Sequence, residues 1–181
     1  MSEELEVLQI VHQRLALANI PYMVTGSMAM NFYAKPRMTR DIDLVVEVSA
    51  SDLDRFIHLF QDDFYIERDM IQQALIQKTM FNLIHMPTVI KVDCVIRKDT
   101  PYRREEFSRR QTIIIEGNRL YIVSPEDLIL SKLEWAKDTR SDTQLADIRN
   151  LLTMVTGLNR LYLEKWAYTL GVTQLLQEMS Q

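Results

Sequence analysis

Two aspartates one residue apart, Asp41 and Asp43, open the apolar run Asp41-Ile42-Asp43-Leu44-Val45-Val46-Glu47-Val48. The run is rich in β-branched residues and reads as a strand. Side chains alternate along a strand, so both carboxylates face one side, about 7 Å apart. Ile42 and Leu44 then face a core. Two ionised carboxylates held side by side repel each other. A divalent cation removes that repulsion, and Mg²⁺ in particular takes one or two carboxylates, keeps waters and shares substrate phosphates. An exposed strand start is the alternative use of the same pattern.

The neighbouring residues favour the cation. Tyr22-Met23-Val24-Thr25 reads as a short strand, followed by Gly26-Ser27 and the helix-like Met28-Ala29-Met30-Asn31-Phe32-Tyr33. A glycine at a strand-to-helix turn lets backbone N–H groups approach a phosphate, and the helix N-terminus favours the anion. A third aspartate, Asp93, lies within a second apolar run, Val89 to Ile96. A charge there is costly unless it is paired or bound to metal. Lys91, on the same face as Asp93, is the internal alternative to a metal.

Gly26-Ser27, a spacer of thirteen residues, Asp41-Ile42-Asp43-Leu44 and a later strand bearing Asp93 together resemble the nucleotidyltransferase superfamily, the DNA polymerase β-like fold. The spacer is at the long end of that family's range. Arg37-x-Thr39-x-Asp41-Ile42-Asp43 is similar to a minimal prokaryotic branch that includes abortive-infection-type toxins and antibiotic nucleotidyltransferases. A second stretch, Ser124-Pro125-Glu126-Asp127-Leu128 with Lys132-Leu133 and then Asp147-Ile148, resembles the C-terminal helices of the same branch. The motifs lie within about residues 20–96, with weaker likeness to about residue 152.

The resemblance implies an α/β fold: a mixed β-sheet flanked by helices, with a helical C-terminal part. It divides the chain into a catalytic core, residues 1–123, and a helical part, 124–181. It implies Mg²⁺- or Mn²⁺-dependent transfer of an NMP from an NTP to a hydroxyl, with release of pyrophosphate. Asp41, Asp43 and Asp93 are the expected metal ligands, with Asp93 also orienting or deprotonating the acceptor. Gly26, Ser27, Arg37, Arg40 and Lys132 are the expected nucleotide contacts. A non-catalytic nucleotide-binding or antitoxin-like module on the same fold is the second reading.

The elements that must position these residues follow from periodicity and caps. Leu5, Leu8, Val11, Leu15 and Ala18 mark a first helix on which His12 lies off the apolar stripe and reads as a surface histidine. Ser51 and Asp54 have capping-box spacing for a helix running to about Phe60. The acidic stretch Asp62 to Asp69 reads as a solvated connection. Met80 to His85 and Thr88 to Ile96 read as a hairpin, as do Gln111 to Glu116 and Arg119 to Val123 around Gly117-Asn118. Ser124-Pro125-Glu126-Asp127 opens a helix with a cap, a proline and acids in order. Asp147 has Lys132 and Arg140 as candidate partners.

Bulk properties exclude some classes. The chain has 181 residues, 47% hydrophobic and 25% charged, as in an ordinary globular protein. No apolar run reaches a membrane span. The acidic start lacks the basic residues of a signal peptide, and the single cysteine, Cys94, fits a reducing cytoplasm, where it would be buried and inert. A net charge of −4 argues against a broad nucleic-acid surface. One local basic run, Arg97 to Arg110, interleaves six basic residues with Tyr102 and Phe107. It directs the expected acceptor toward RNA or protein ahead of a small molecule. A homodimer or a toxin–antitoxin pairing is left open.

Overall fold

The computed structural model describes residues 2–115 and 117–181. Helix α1, Glu3–Leu17, begins under Ser2, whose hydroxyl accepts from the Leu5 N–H. Strand β1, Tyr22–Thr25, leads directly into α2, Gly26–Tyr33. Strand β2, Asp41–Val46, is followed by a 3₁₀ turn, Ala50–Asp52, and by α3, Leu53–Phe60. Then come β3, Phe64–Tyr65; α4, Arg68–Gln77; β4, Met80–His85; and β5, Ile90–Ile96. Helix α5, Pro101–Ser108, precedes β6, Gln111–Ile115, and β7, Asn118–Ile122. Four helices finish the chain: α6, Pro125–Thr139; α7, Asp142–Met154; α8, Arg160–Leu170; and α9, Thr173–Met179.

The strands form one mixed sheet in the order β3-β4-β5-β2-β1-β7-β6. Strand β2 is antiparallel to β1 and parallel to β5. The apolar side chains of β2 settle the register. Ile42 pairs with Val92 and Leu44 with Cys94, and all four are at most 1% exposed. A slip of one residue would turn an aspartate into that core. On the core face Phe81 meets Phe56 of α3 edge-on, and Phe60 meets Phe64 in the same way. Helix α1 closes the cluster, with the Arg14 guanidinium over Phe60 and Phe64. Cys94 belongs to this core, and burial raises its thiol pKa.

Local expectations need four corrections. The capping box is formed by Ser49 and Asp52, not Ser51 and Asp54, because a 3₁₀ turn precedes α3. The acidic stretch 62–69 is not wholly a solvated connection. Phe64 is buried on an edge strand paired to His85, and Asp63 takes a bidentate pair from Arg14. His12 is half-buried rather than free on the surface, and its Nδ1 lies 2.8 Å from the Tyr22 hydroxyl. The second hairpin forms, but Asn118 belongs to β7 and pairs with Ile115. Glu116 of that hairpin lies outside the described residues.

Candidate active site

The register places a row of polar residues across four strands. Thr25 of β1 pairs with Asp43 of β2, Asp43 with Asp93 of β5, and Asp93 with Asn82 of β4. Cross-strand partners share a face, so these four side chains project together, away from Leu44 and Cys94. One step along, Asp41 pairs with Lys91. The sequence pattern thus puts Asp41 and Asp43 on one face, and the fold adds Asp93 beside them. Asn82 joins the row unannounced, since a lone asparagine on a half-buried strand carries no recognisable pattern.

The Gly-Ser turn sits on this row. Gly26 has φ +60°, and a Cβ added to it would lie 2.0 Å from Asp43 Oδ2. Only glycine lets the start of α2 come this close to the carboxylate. The Ser27 backbone N–H donates to Asp43, which lowers its pKa. Burial, together with the charges of Asp93 and Asp41, outweighs that bond and leaves the carboxyl above its ordinary value.

Arg37 reaches the same turn. Its Nη2 donates to Ser27 Oγ at 2.6 Å and lies 3.4 Å from Asp147 Oδ2. The loop carrying it is tied to α2 by Asn31, which accepts from the Arg37 N–H at 2.9 Å and donates to the Arg37 carbonyl at 2.8 Å. Lys132 of α6 is 5% exposed and donates to Asp147 at 2.7 Å and to Gln144 at 3.1 Å. Its expected pairing with Asp147 is therefore present; Arg140 instead pairs with Glu178. A chain of contacts, Lys132–Asp147–Arg37–Ser27, joins the C-terminal helices to the turn. Arg40 is exposed on the same loop and makes no ion pair among the described residues.

A cavity of about 580 Å³ opens on this loop, lined by Met28, Asn31, Phe32, Arg37, Met38 and Arg40. Phe32 and its methionine neighbours offer apolar surface that sequence reasoning did not assign to the site. Another cavity, about 420 Å³, lies between α7, α8 and α9 and shares no residue with the polar row.

The carboxylates suit a hard divalent cation by their chemistry, and Asp93 adds a sharper observation. It is 7% exposed, and its Oδ1 is buried without a hydrogen-bond partner. Its other oxygen lies 2.9 Å from Lys91 Nζ, which is also 3.9 Å from Asp41 Oδ2. As the side chains stand, no three His, Cys, Asp or Glu among the described residues close around a single point as metal ligands. The carboxylate oxygens are donors of the kind Mg²⁺ or Mn²⁺ takes, and Lys91 places an ammonium among them.

Most charges of the basic run are engaged in internal pairs. Arg97 pairs with Glu47, and Arg103 with Glu106 and Glu134. Arg109 pairs with Glu126 and with Asp127, which is fully buried. Arg110 lies over the Phe107 ring, 4.3 Å from its centroid. These charges fasten α5 to α6 and to the sheet. Arg104 is more exposed and lies 3.5 Å from Asp99.

No protein-family profile matches the sequence, and no curated protein matches it. Solved structures do match. An antigenic nucleotidyltransferase-like protein from Paracoccidioides brasiliensis superposes with a TM-score of 0.61 at 19% identity, over 99% of this chain and 93% of that one. ANT(2")-Ia in complex with adenylyl-2"-tobramycin gives 0.62 at 15% identity, over 94% and 98%. The lincosamide antibiotic adenylyltransferase LnuA, lincomycin-bound, gives 0.57 at 12% identity, over 86% and 99%. The fold is the nucleotidyltransferase fold, with its C-terminal helices included. Among the described residues no helix is long and apolar enough to cross a membrane.

Proposed function

We propose that this chain transfers a nucleoside monophosphate from an NTP to a hydroxyl group. The observation that carries the reading is the row Asp43–Asp93 with Gly26 packed against it. Asp41, Asp43 and Asp93 would hold Mg²⁺ or Mn²⁺. When bound, such a cation supplies charge neutralisation of the phosphates and a lowered acceptor pKa.

The remaining chemistry belongs to the protein. Backbone N–H groups at the start of α2 and the Ser27 hydroxyl face the β- and γ-phosphates. Arg37 is already at Ser27 and adds a guanidinium that suits a phosphate edge. Lys132 contributes positive charge from α6, held in place by Asp147 until phosphate oxygens compete for it. Asp93 accepts the proton of the acceptor hydroxyl. The acceptor oxygen bonds to the α-phosphorus, the α–β bridging bond breaks, and pyrophosphate leaves. Alignment and electrostatics provide most of the acceleration.

The acceptor we favour is a small hydroxyl compound. Most of the basic run that pointed to RNA is spent on internal pairs, and two structural relatives are named for antibiotic adenylylation products or ligands. The cavity beside Arg37 offers a ring apolar contact next to the phosphate turn. A cytoplasmic location accords with the single buried cysteine. One observation favours the second reading, a non-catalytic module: Lys91 already neutralises Asp93. Calorimetry with each NTP and Mg²⁺ separates transfer from an antitoxin-like module, which failure of every NTP to bind would support. A non-catalytic nucleotide-binding module would bind NTP yet move no label from it to an acceptor.

A further inference from the structure

Lys91 precedes Asp93 by two residues on β5, so their side chains share a face, and it stands in register with Asp41 of β2. Its ammonium is 2.9 Å from Asp93 Oδ2 and 3.9 Å from Asp41 Oδ2. The ion pair leaves the cluster incompletely satisfied. Asp93 Oδ1 is buried without a donor. A buried acceptor left bare is destabilising. One ammonium only partly offsets three carboxylates, leaving a formal charge of −2 (−3 + 1) with Lys91 in place and −3 without it, so the face still draws a divalent cation.

The two ends of the ion pair differ in freedom. The Asp93 side chain is 10% exposed, whereas that of Lys91 is 39% exposed on a four-carbon stem. Lys91 can therefore turn its ammonium into water without opening the core, while Asp93 stays fixed by its strand.

We propose that Lys91 is an internal counter-ion that competes with the divalent cation for Asp93 and Asp41. In metal-free protein its ammonium holds the carboxylates together and offsets their repulsion. Metal loading displaces it to solvent. Free-cation affinity is then kept low, and the site fills most readily when a nucleotide brings the cation with it. This rests on the metal-dependent reading of the same site.

The test is Mn²⁺ binding to the full chain without nucleotide, followed by the electron paramagnetic resonance signal of free Mn²⁺. It compares wild type with Lys91→Met, Lys91→Gln and Lys91→Arg, each checked for native circular dichroism. Removing one positive charge a few ångströms from the donors should tighten Mn²⁺ roughly tenfold in both neutral variants. Lys91→Arg should stay near wild type. Equal or weaker affinity in a folded neutral variant, while wild type binds Mn²⁺, overturns the competition and leaves the metal reading standing. No Mn²⁺ binding by any of the four proteins without nucleotide overturns the competition, and none with NTP present overturns the metal reading as well. Having two neutral variants of different shape keeps the result independent of one misfolded protein.

Discussion

Gly26 and Asp43 touch: a single carbon added to the glycine would lie 2.0 Å from the Oδ2 of the aspartate. Gly26 also holds φ +60°, where a side chain costs about 1–2 kcal/mol. Gly26→Ala must therefore strain the turn and push Asp43 out of line with Asp93. We expect a lower melting temperature and Mn²⁺ affinity reduced by about tenfold or more. Wild-type affinity in a folded Gly26→Ala protein would show that the contact does not set the carboxylate's position.

How far this relationship was legible in the sequence depends on the residue. The common face of Asp41 and Asp43 is written in the period of two, and Gly26 stands where a strand meets a helix. The adjacency of β5 to β2 is not written locally. It comes from packing Val92 and Cys94 beside Ile42 and Leu44, a choice made by the whole sheet. Asn31 and Asn82 were missed because a mid-helix and a mid-strand asparagine carry no spacing cue. The internal pairing of the basic run was hidden for a related reason. Glu106, three residues from Arg103, was visible, but Glu126, Asp127 and Glu134 reach α5 only in the folded chain.

Lys132 and Asp147 form a buried ion pair, with side chains 6% and 4% exposed. Removing one partner strands the other. Asp147→Ala should cost about 3–5 kcal/mol, measured by urea unfolding. Adding Lys132→Met to it should restore much of that stability, because an apolar chain then fills the site. The double variant should still lose transfer, since the cation near the phosphates is gone. A double variant no more stable than Asp147→Ala would contradict the pairing.

Arg109 is a structural residue in this account. It bonds Asp127, which also accepts from Ser124 and from Tyr162 at 2.6 and 2.7 Å. Arg109→Glu should destabilise the fold by about 2–3 kcal/mol, the loss of charged hydrogen bonds. Arg104→Glu, on an exposed side chain, should be nearly neutral. Gel shifts with tRNA should be weak in wild type and unaltered by Arg104→Glu. A strong wild-type shift abolished by Arg104→Glu would restore the RNA reading.

Stability should fall in acid through Asp63. The Arg14 guanidinium bonded to its carboxylate holds the Asp63 pKa below the ordinary value. A depressed carboxyl pKa stabilises the fold above the unfolded value and loses that contribution as pH drops through the folded one. Asp63→Asn should thus cost on the order of 1 kcal/mol at pH 7, given a partly exposed pair. Thermal melts should show that difference closing as pH falls below the usual carboxylate range. A difference that stays constant into strong acid would contradict the linkage.

Nucleotidyl transfer from the Asp43–Asp93 row is directly measurable. The direct measurement incubates the protein with Mg²⁺, NTPs labelled at the α-phosphate, and separate pools of small hydroxyl compounds, RNA and protein. Wild type should move label into an acceptor, in the small-molecule pool first, and release unlabelled pyrophosphate. Asp43→Asn should keep the fold and lose the transfer by about a thousandfold or more. Label transferred equally by Asp43→Asn, or no label in any pool from wild type, would contradict the account.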